Sequence, residues 1–133
     1  MIASAEEFIR LRTSEVKGDY DRAANEDAPI DVWWELVRNH PEMKIWVVHN
    51  KTVPLEILDA LSTDEDVAVR DAVARKRKAS VEILERLARD ADSGVRYAVA
   101  CNASTPRSIL ALLLDDPWDV VVARATARLN ETA

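Results

Sequence analysis

Apolar residues in this chain come in short clusters, and the clusters recur about 26 residues apart. Three segments align on one another: Met43-Lys44-Ile45-Trp46-Val47-Val48-His49-Asn50, Val69-Arg70-Asp71-Ala72-Val73-Ala74-Arg75-Lys76 and Val95-Arg96-Tyr97-Ala98-Val99-Ala100-Cys101-Asn102, with a fourth beginning at Val120. Each of the three is followed by a second apolar cluster at a fixed offset: Ile57, Leu58, Leu61; Ile83, Leu84, Leu87; Ile109, Leu110, Leu113. Self-similarity at such a period marks a stack of supersecondary units that bury their apolar faces against one another.

Within the first segment the apolar positions fall at i, i+3 and i+4, as in Val69, Ala72, Val73 and Val95, Ala98, Val99, which predicts one buried face of a short helix A. Asp66 and Asp92 stand before it as N-caps. Asn50 and Asn102 stand after it, where asparagine tolerates the left-handed conformation of a helix stop. Helix B opens with Val53-Pro54 or Thr105-Pro106, with the proline expected in the first turn, where its missing N–H costs nothing. The run Ile45 to Val48 has strand propensity, but its repeat partners Ala72-Val73-Ala74 and Ala98-Val99-Ala100 are helix-compatible, so helix is predicted there too.

Further back, Pro29, Val32, Trp33 and Leu36 match Pro54, Ile57, Leu58 and Leu61 at a shift of 25 and define a degenerate unit. Met1 to Thr13 reads as a capping helix, with Ser4 and Glu7 at capping-box spacing and Phe8, Ile9 and Leu11 on its apolar side. The expected fold is all-α, an α-solenoid of about four and a half short helical hairpins in one domain over residues 1–133. Its parts are a cap and degenerate repeat over 1–39, three clear repeats over 40–115 and a C-terminal half-repeat over 116–133.

The string Asp92, Val95-Arg96, Ala98-Val99-Ala100, Asn102, Thr105-Pro106, Ile109-Leu110, Leu113, Asp115 resembles the leucine-rich repeat variant, a bacterial relative of HEAT-like helical repeats, over roughly residues 40 to 120. The resemblance implies a right-handed superhelix of alternating α- and short, often 3₁₀-type helices, so that helix A or helix B would be the tighter kind. Family members with an N-terminal cysteine cluster carry an iron–sulfur centre. Here the single cysteine is Cys101, so that feature does not carry over and no cofactor is expected. The wider HEAT-like group includes scaffolds and a few nucleic-acid enzymes, so the resemblance fixes no activity.

Charge changes the picture in two ways. The net charge of -6 repels polyanions at long range and disfavours generic nucleic-acid or membrane binding. Locally, however, the turns sort by sign. Turns from B to A hold Asp64-Glu65-Asp66, Asp90 with Asp92, and Asp115-Asp116; those from A to B hold Lys51, the run Arg75-Lys76-Arg77-Lys78, and Arg107, apart from Glu26-Asp27 in the degenerate unit. The basic run has two readings. As a solvated turn, Arg75 and Lys76 complement the negative end of helix A; Arg77 and Lys78 approach the N-terminus of helix B, where positive charge is unfavourable, which points to a binding role instead.

Trp33, Trp34, Trp46 and Trp118 suit core filling, and Trp46 stands where later units keep Ala72 and Ala98. Adjacent Trp33 and Trp34 cannot share one inward stripe, so one of them, with Trp34 the candidate, is an available interface anchor. His49, beside Asn50 and Lys51, either caps carbonyls or lines the same surface as the basic run. One cysteine and two histidines cannot make the usual zinc site, and no phosphate loop, zinc-protease motif or nucleophile elbow is present, so no catalysis is expected. The N-terminal stretch lacks the pattern of a signal peptide and no stretch approaches a membrane span, so a cytoplasmic monomer is expected. The leading expectation is a protein-binding adaptor or regulator whose partner has an acidic surface. The alternative is a nucleic-acid binder using Lys51, Arg75 to Lys78 and Arg96, with a tryptophan or Tyr97 for stacking.

Overall fold

Helix starts are set by side-chain caps wherever the sequence supplies one. In a computed structural model that describes residues 1–131, Ser4 Oγ accepts from Glu7 N at 3.0 Å and opens α1, Ala5–Thr13. Asp66 accepts from Ala68 N at 2.9 Å and opens a helix over Val67–Ala74, Ser80 accepts from Ile83 N at 3.2 Å and opens one over Val81–Ala88, and Asp92 accepts from Val95 N at 3.0 Å and opens one over Ser93–Cys101. Regular structure among the described residues is entirely helical, and two compact units form, Met1–Leu58 and Asp59–Ala133.

The first unit holds α1, α2 (Lys17–Asn25), α3 (Ile30–Asn39), a 3₁₀ turn over Pro41–Met43, and α4 (Lys44–His49); α5 (Leu55–Leu61) contains the boundary. α1 packs on α2 and α3, and α3 on α4. Phe8 and Leu11 of α1 are buried, and the edge of Phe8 meets Trp33 of α3 at 5.7 Å between ring centroids. Ile45 to Val48 are helical, as the repeat argument required, with Val47 and Val48 fully buried and Trp46 turned outward. The chain start is pinned by Ile2 N to Asp27 O at 2.8 Å and by the Met1 amine on Glu26 at 3.2 Å. Glu26 is held down at about 2 by its hydrogen bond from Arg22 and then by that amine.

In the second unit, α6 (Val67–Ala74) packs on α7 (Val81–Ala88) and α8 (Ser93–Cys101); α9 (Arg107–Leu112) follows α7, and α10 (Asp119–Asn130) lies on α8 and α9. The buried faces are those the repeat predicts: Val69, Ala72, Val73 on α6; Ile83, Leu84, Leu87 on α7; Val95, Ala98, Val99 on α8; Ile109 and Leu110 on α9. Helices A and B in this unit are both α, and the tighter 3₁₀ geometry is confined to the short turn Leu113–Asp115. Pro106 sits one residue earlier than expected: it is the N-cap of α9, its carbonyl accepting from Ile109 N and Leu110 N.

The asparagines after helix A correct one expectation. No residue has positive φ among the described residues, and Asn50 and Asn102 are extended, at φ -62° and -70°. Their value lies in the side chain. In the second unit, buried Asn102 donates Nδ2 to Ala74 O and Lys76 O, each at 2.8 Å, and accepts from Ser104 N at 2.8 Å. It thereby satisfies carbonyls at the end of the preceding helix A, which have no partner within that helix. Asn50 does the same in the first unit, donating to Ala23 O at 2.7 Å and Glu26 O at 2.9 Å. Arg128 repeats the pattern from α10, donating to Ala100 O and Asn102 O at 2.8 and 3.0 Å.

Candidate functional site

The basic run occupies the turn between α6 and α7, and its backbone is held from the next hairpin: Lys76 O accepts from Asn102 Nδ2, and Arg77 O accepts from Ser104 Oγ. With the carbonyls fixed, the side chains project. Arg75, Arg77 and Lys78 are exposed, and Lys76 is half-buried. Arg75 also pairs with Asp71 one helical turn back, Nε to Oδ2 at 2.8 Å. The Lys76 ammonium is pushed down by burial and then by the charge of Lys78, and burial lowers Lys78 as well. Arg107 reaches Leu129 O at 3.0 Å, capping the end of α10.

The acidic turns of the same unit are built differently, because their carboxylates are spent on the chain itself. Arg70 donates Nε to Asp90 at 2.8 Å and NH1 to Asp64 O at 2.8 Å; Arg96 donates Nε to Asp116 at 2.7 Å and NH1 to Asp90 O at 2.8 Å. Each arginine thus bridges the turn before its helix to the turn after the next one. Asp90 and Asp116 accept in addition from Asp92 N and Trp118 N, both at 2.9 Å. Burial raises Asp116, but the hydrogen bond from Arg96 and the Trp118 N–H outweigh it and leave the carboxyl below its ordinary value. Arg96 therefore does not join the basic run as a binding residue. Its side chain is 13% exposed and that of Asp116 is 4% exposed. The spacing could have shown this, since Arg70 and Asp90, and Arg96 and Asp116, are both 20 residues apart in consecutive repeats.

Tyr97 lies next to the basic run. Arg75, Ala98, Cys101 and Asn102 line one hollow, and Tyr97 with Val120, Ala123, Arg124 and Ala127 lines a second, shallow one of about 340 Å³ between α8 and α10. The Tyr97 hydroxyl hydrogen-bonds Cys101, which raises it above the ordinary phenol value. Its ring lies 6.0 Å from that of Trp118.

The other candidates belong to the first unit. Asn50 is buried in its carbonyl bracket and has no surface to offer a partner. Trp34 is half-buried, with the Arg38 guanidinium 4.8 Å from its ring centre. Trp46 does not fill the core where Ala72 and Ala98 do; it is 37% exposed, and the Arg12 guanidinium stacks on it at 3.5 Å. His49 lies 5.8 Å from the same ring, and Arg12, Tyr20, Asp21, Trp46 and His49 help line a hollow of about 190 Å³. Lys51 is exposed at the end of this hairpin, its backbone N donating to Ala24 O at 2.8 Å. The partnership of Arg12 with Trp46 has no signal in the repeat, because Arg12 lies outside it.

Among the described residues no group of three or more histidine, cysteine, aspartate or glutamate side chains could hold a metal, and no helix is long and apolar enough to cross a membrane. The chain matches no protein-family model, no curated protein and no solved structure.

Proposed function

We propose that the chain is a non-catalytic binding module, a right-handed α-solenoid of the leucine-rich repeat variant kind, that presents its basic A-to-B turn to an acidic surface of another protein. The observation that carries this reading is the contrast between turns in the second unit: Asn102 and Ser104 hold the carbonyls of Lys76 and Arg77 while Arg75, Arg77 and Lys78 are exposed, whereas the half-buried Arg70 and Arg96 neutralise Asp90 and Asp116. A fixed array of charge loses little conformational freedom on binding and steers association of a complementary partner. Repetition of the same brackets, from Asn102 to Ala74 and Lys76 and from Arg128 to Ala100 and Asn102, supports the solenoid reading.

The test is co-purification from the native host, identification of the retained protein, and remeasurement with Arg75→Glu, Arg77→Glu and Lys78→Glu combined. Binding should fall at least about ten-fold, mainly through slower association. The control is Glu65→Lys with Asp115→Lys, both exposed in B-to-A turns, because Asp66 is a helix cap and cannot be changed without disturbing α6. Unchanged affinity in the basic-turn variant would sink the proposal. A second reading, single-stranded nucleic acid, rests on the placement of the half-buried Tyr97 ring on α8, whose neighbours Ala98 and Cys101 line a hollow with Arg75. It predicts a steep fall of oligonucleotide affinity with salt.

A further inference from the structure

Beside Tyr97, α10 exposes the apolar residues Val120, Ala123 and Ala127 where an amphipathic helix ordinarily turns polar side chains to solvent. The positions Ala68, Gly94 and Val120 follow one another at the repeat spacing, as do Asp71, Tyr97 and Ala123. At α10 the first series carries a larger apolar side chain, 44% exposed, and Trp118, two residues earlier in sequence, is 40% exposed. Together with exposed Ala123 and Ala127, Val120 makes an apolar hollow against Tyr97. Its cations stand on two sides. Arg124 itself lines the hollow, 3.9 Å from Glu131, and Arg75 lines the neighbouring hollow with Ala98 and Cys101 of α8. The Tyr97 ring lies 6.0 Å from that of Trp118. Through Arg75 the hollow continues into the basic turn described above.

We infer that the hollow between α8 and α10 anchors one apolar side chain of an acidic segment in the partner protein, with Arg75 and Arg124 receiving the flanking carboxylates. The inference rests on the reading of the basic turn as a protein-binding surface and adds to it the chemistry of the bound segment. Charge complementarity selects the segment: an apolar residue alone would not need two arginines, and a polyanion without one would leave Val120 and Ala123 uncovered. Peptide recognition of this kind divides the work between pockets that read a side chain and charges that steer and orient.

The experiment uses isotope-labelled full-length protein, followed by NMR, and two synthetic peptides of glutamates flanking either a central leucine or a central serine. The leucine peptide should shift the amide signals of Tyr97, Val120, Ala123 and Arg124 and bind about ten-fold more tightly than the serine peptide, as expected for burying one aliphatic side chain. Ala123→Glu, a helix-compatible change at an exposed position, should remove that preference; Ala111→Glu on exposed α9 should keep it. Spectra of both variants report directly that the fold is intact. Equal binding of the two peptides, with shifts confined to Arg75 to Lys78, would overturn the hollow while leaving the basic-turn reading in place. Concentration-dependent shifts of the hollow in the protein alone would also overturn it, by showing that a second copy is the occupant. Silence with both peptides would do the same, and the co-purification test would still judge the basic turn.

Discussion

The two kinds of turn in the second unit carry opposite charge and dispose of it in opposite ways. The B-to-A turns bring Asp90 and Asp116 under the guanidinium groups of Arg70 and Arg96, where side chain, backbone N–H and carbonyl are all satisfied. The A-to-B turn gives its backbone to Asn102 and Ser104 and sends its cations outward. Charge pattern alone would rank the two alike as binding surfaces. Burial separates them, because a buried ion pair stripped of one member is costly while an exposed one contributes little.

That difference is broken most directly at Arg96. Arg96→Ala leaves Asp116 buried without its cation and removes the donor to Asp90 O, so it should destabilise by about 3 kcal/mol in urea unfolding. Lys78→Ala should cost less than about 0.5 kcal/mol in the same assay. The pH dependence gives the sign. Asp116 sits below its ordinary carboxyl value, so its contribution is present above the unfolded value, near about pH 4, and is lost as pH falls through the lower folded one. The gap between wild type and Arg96→Ala should therefore narrow on acidification below about pH 4.

Next in size is the bracket that holds the basic turn. Asn102→Ala removes donors from two carbonyls and an acceptor from Ser104 N, and should cost about 2 kcal/mol. Asn25, its counterpart in the degenerate unit, is exposed and donates to Asp21 O within its own helix, so Asn25→Ala should cost less than about 0.5 kcal/mol. Amide exchange at Lys76 and Ala79, whose N–H groups donate to Val73 O and Lys76 O, should quicken in Asn102→Ala. Unaltered protection there would mean that the turn does not need its bracket.

Much of this architecture is legible in the sequence because period and capping are local signals. Val69, Ala72 and Val73 announce a helix face on their own, Asp66 and Asp92 announce its start, and alignment overrides the strand propensity of Ile45 to Val48. What escaped was long-range and depended on which way a side chain points. Asn102 was legible as a stop signal but not as a bracket 28 residues back, and Arg96 was grouped with the basic run by sign although its partner is Asp116. Both could be recovered from paired spacing that recurs in the next repeat. The exposure of Trp46 could not, since the guanidinium that covers it comes from Arg12 in the capping helix.

A smaller effect tests a cap on the acidic side. Asp92→Ala should cost about 1 kcal/mol through loss of the bond to Val95 N, with Asp92→Asn retaining most of the stability because asparagine caps as well. If the asparagine variant were as unstable as the alanine one, the carboxylate would be acting through charge, and the account of the acidic turns as local hydrogen-bonding devices would need revision.

The smallest expected effect decides whether the basic turn belongs to function or to folding. Reversing Arg75, Arg77 and Lys78 together should change unfolding free energy by less than about 0.5 kcal/mol, because its parts oppose one another. Losing the exposed pair of Arg75 with Asp71, and placing two acids one helical turn apart, costs a few tenths of a kcal/mol. Removing a cation at Lys78, just ahead of the Ser80 cap of α7, returns a similar amount, since the N-terminal end of a helix favours negative charge. Lys76 is left unchanged because it is half-buried and its reversal would confound burial with charge. An unfolding midpoint that stays in place while partner affinity collapses separates the two roles. A loss of more than about 1 kcal/mol would show that these cations hold the turn, as Arg96 holds the other, and the two sides would no longer differ in kind.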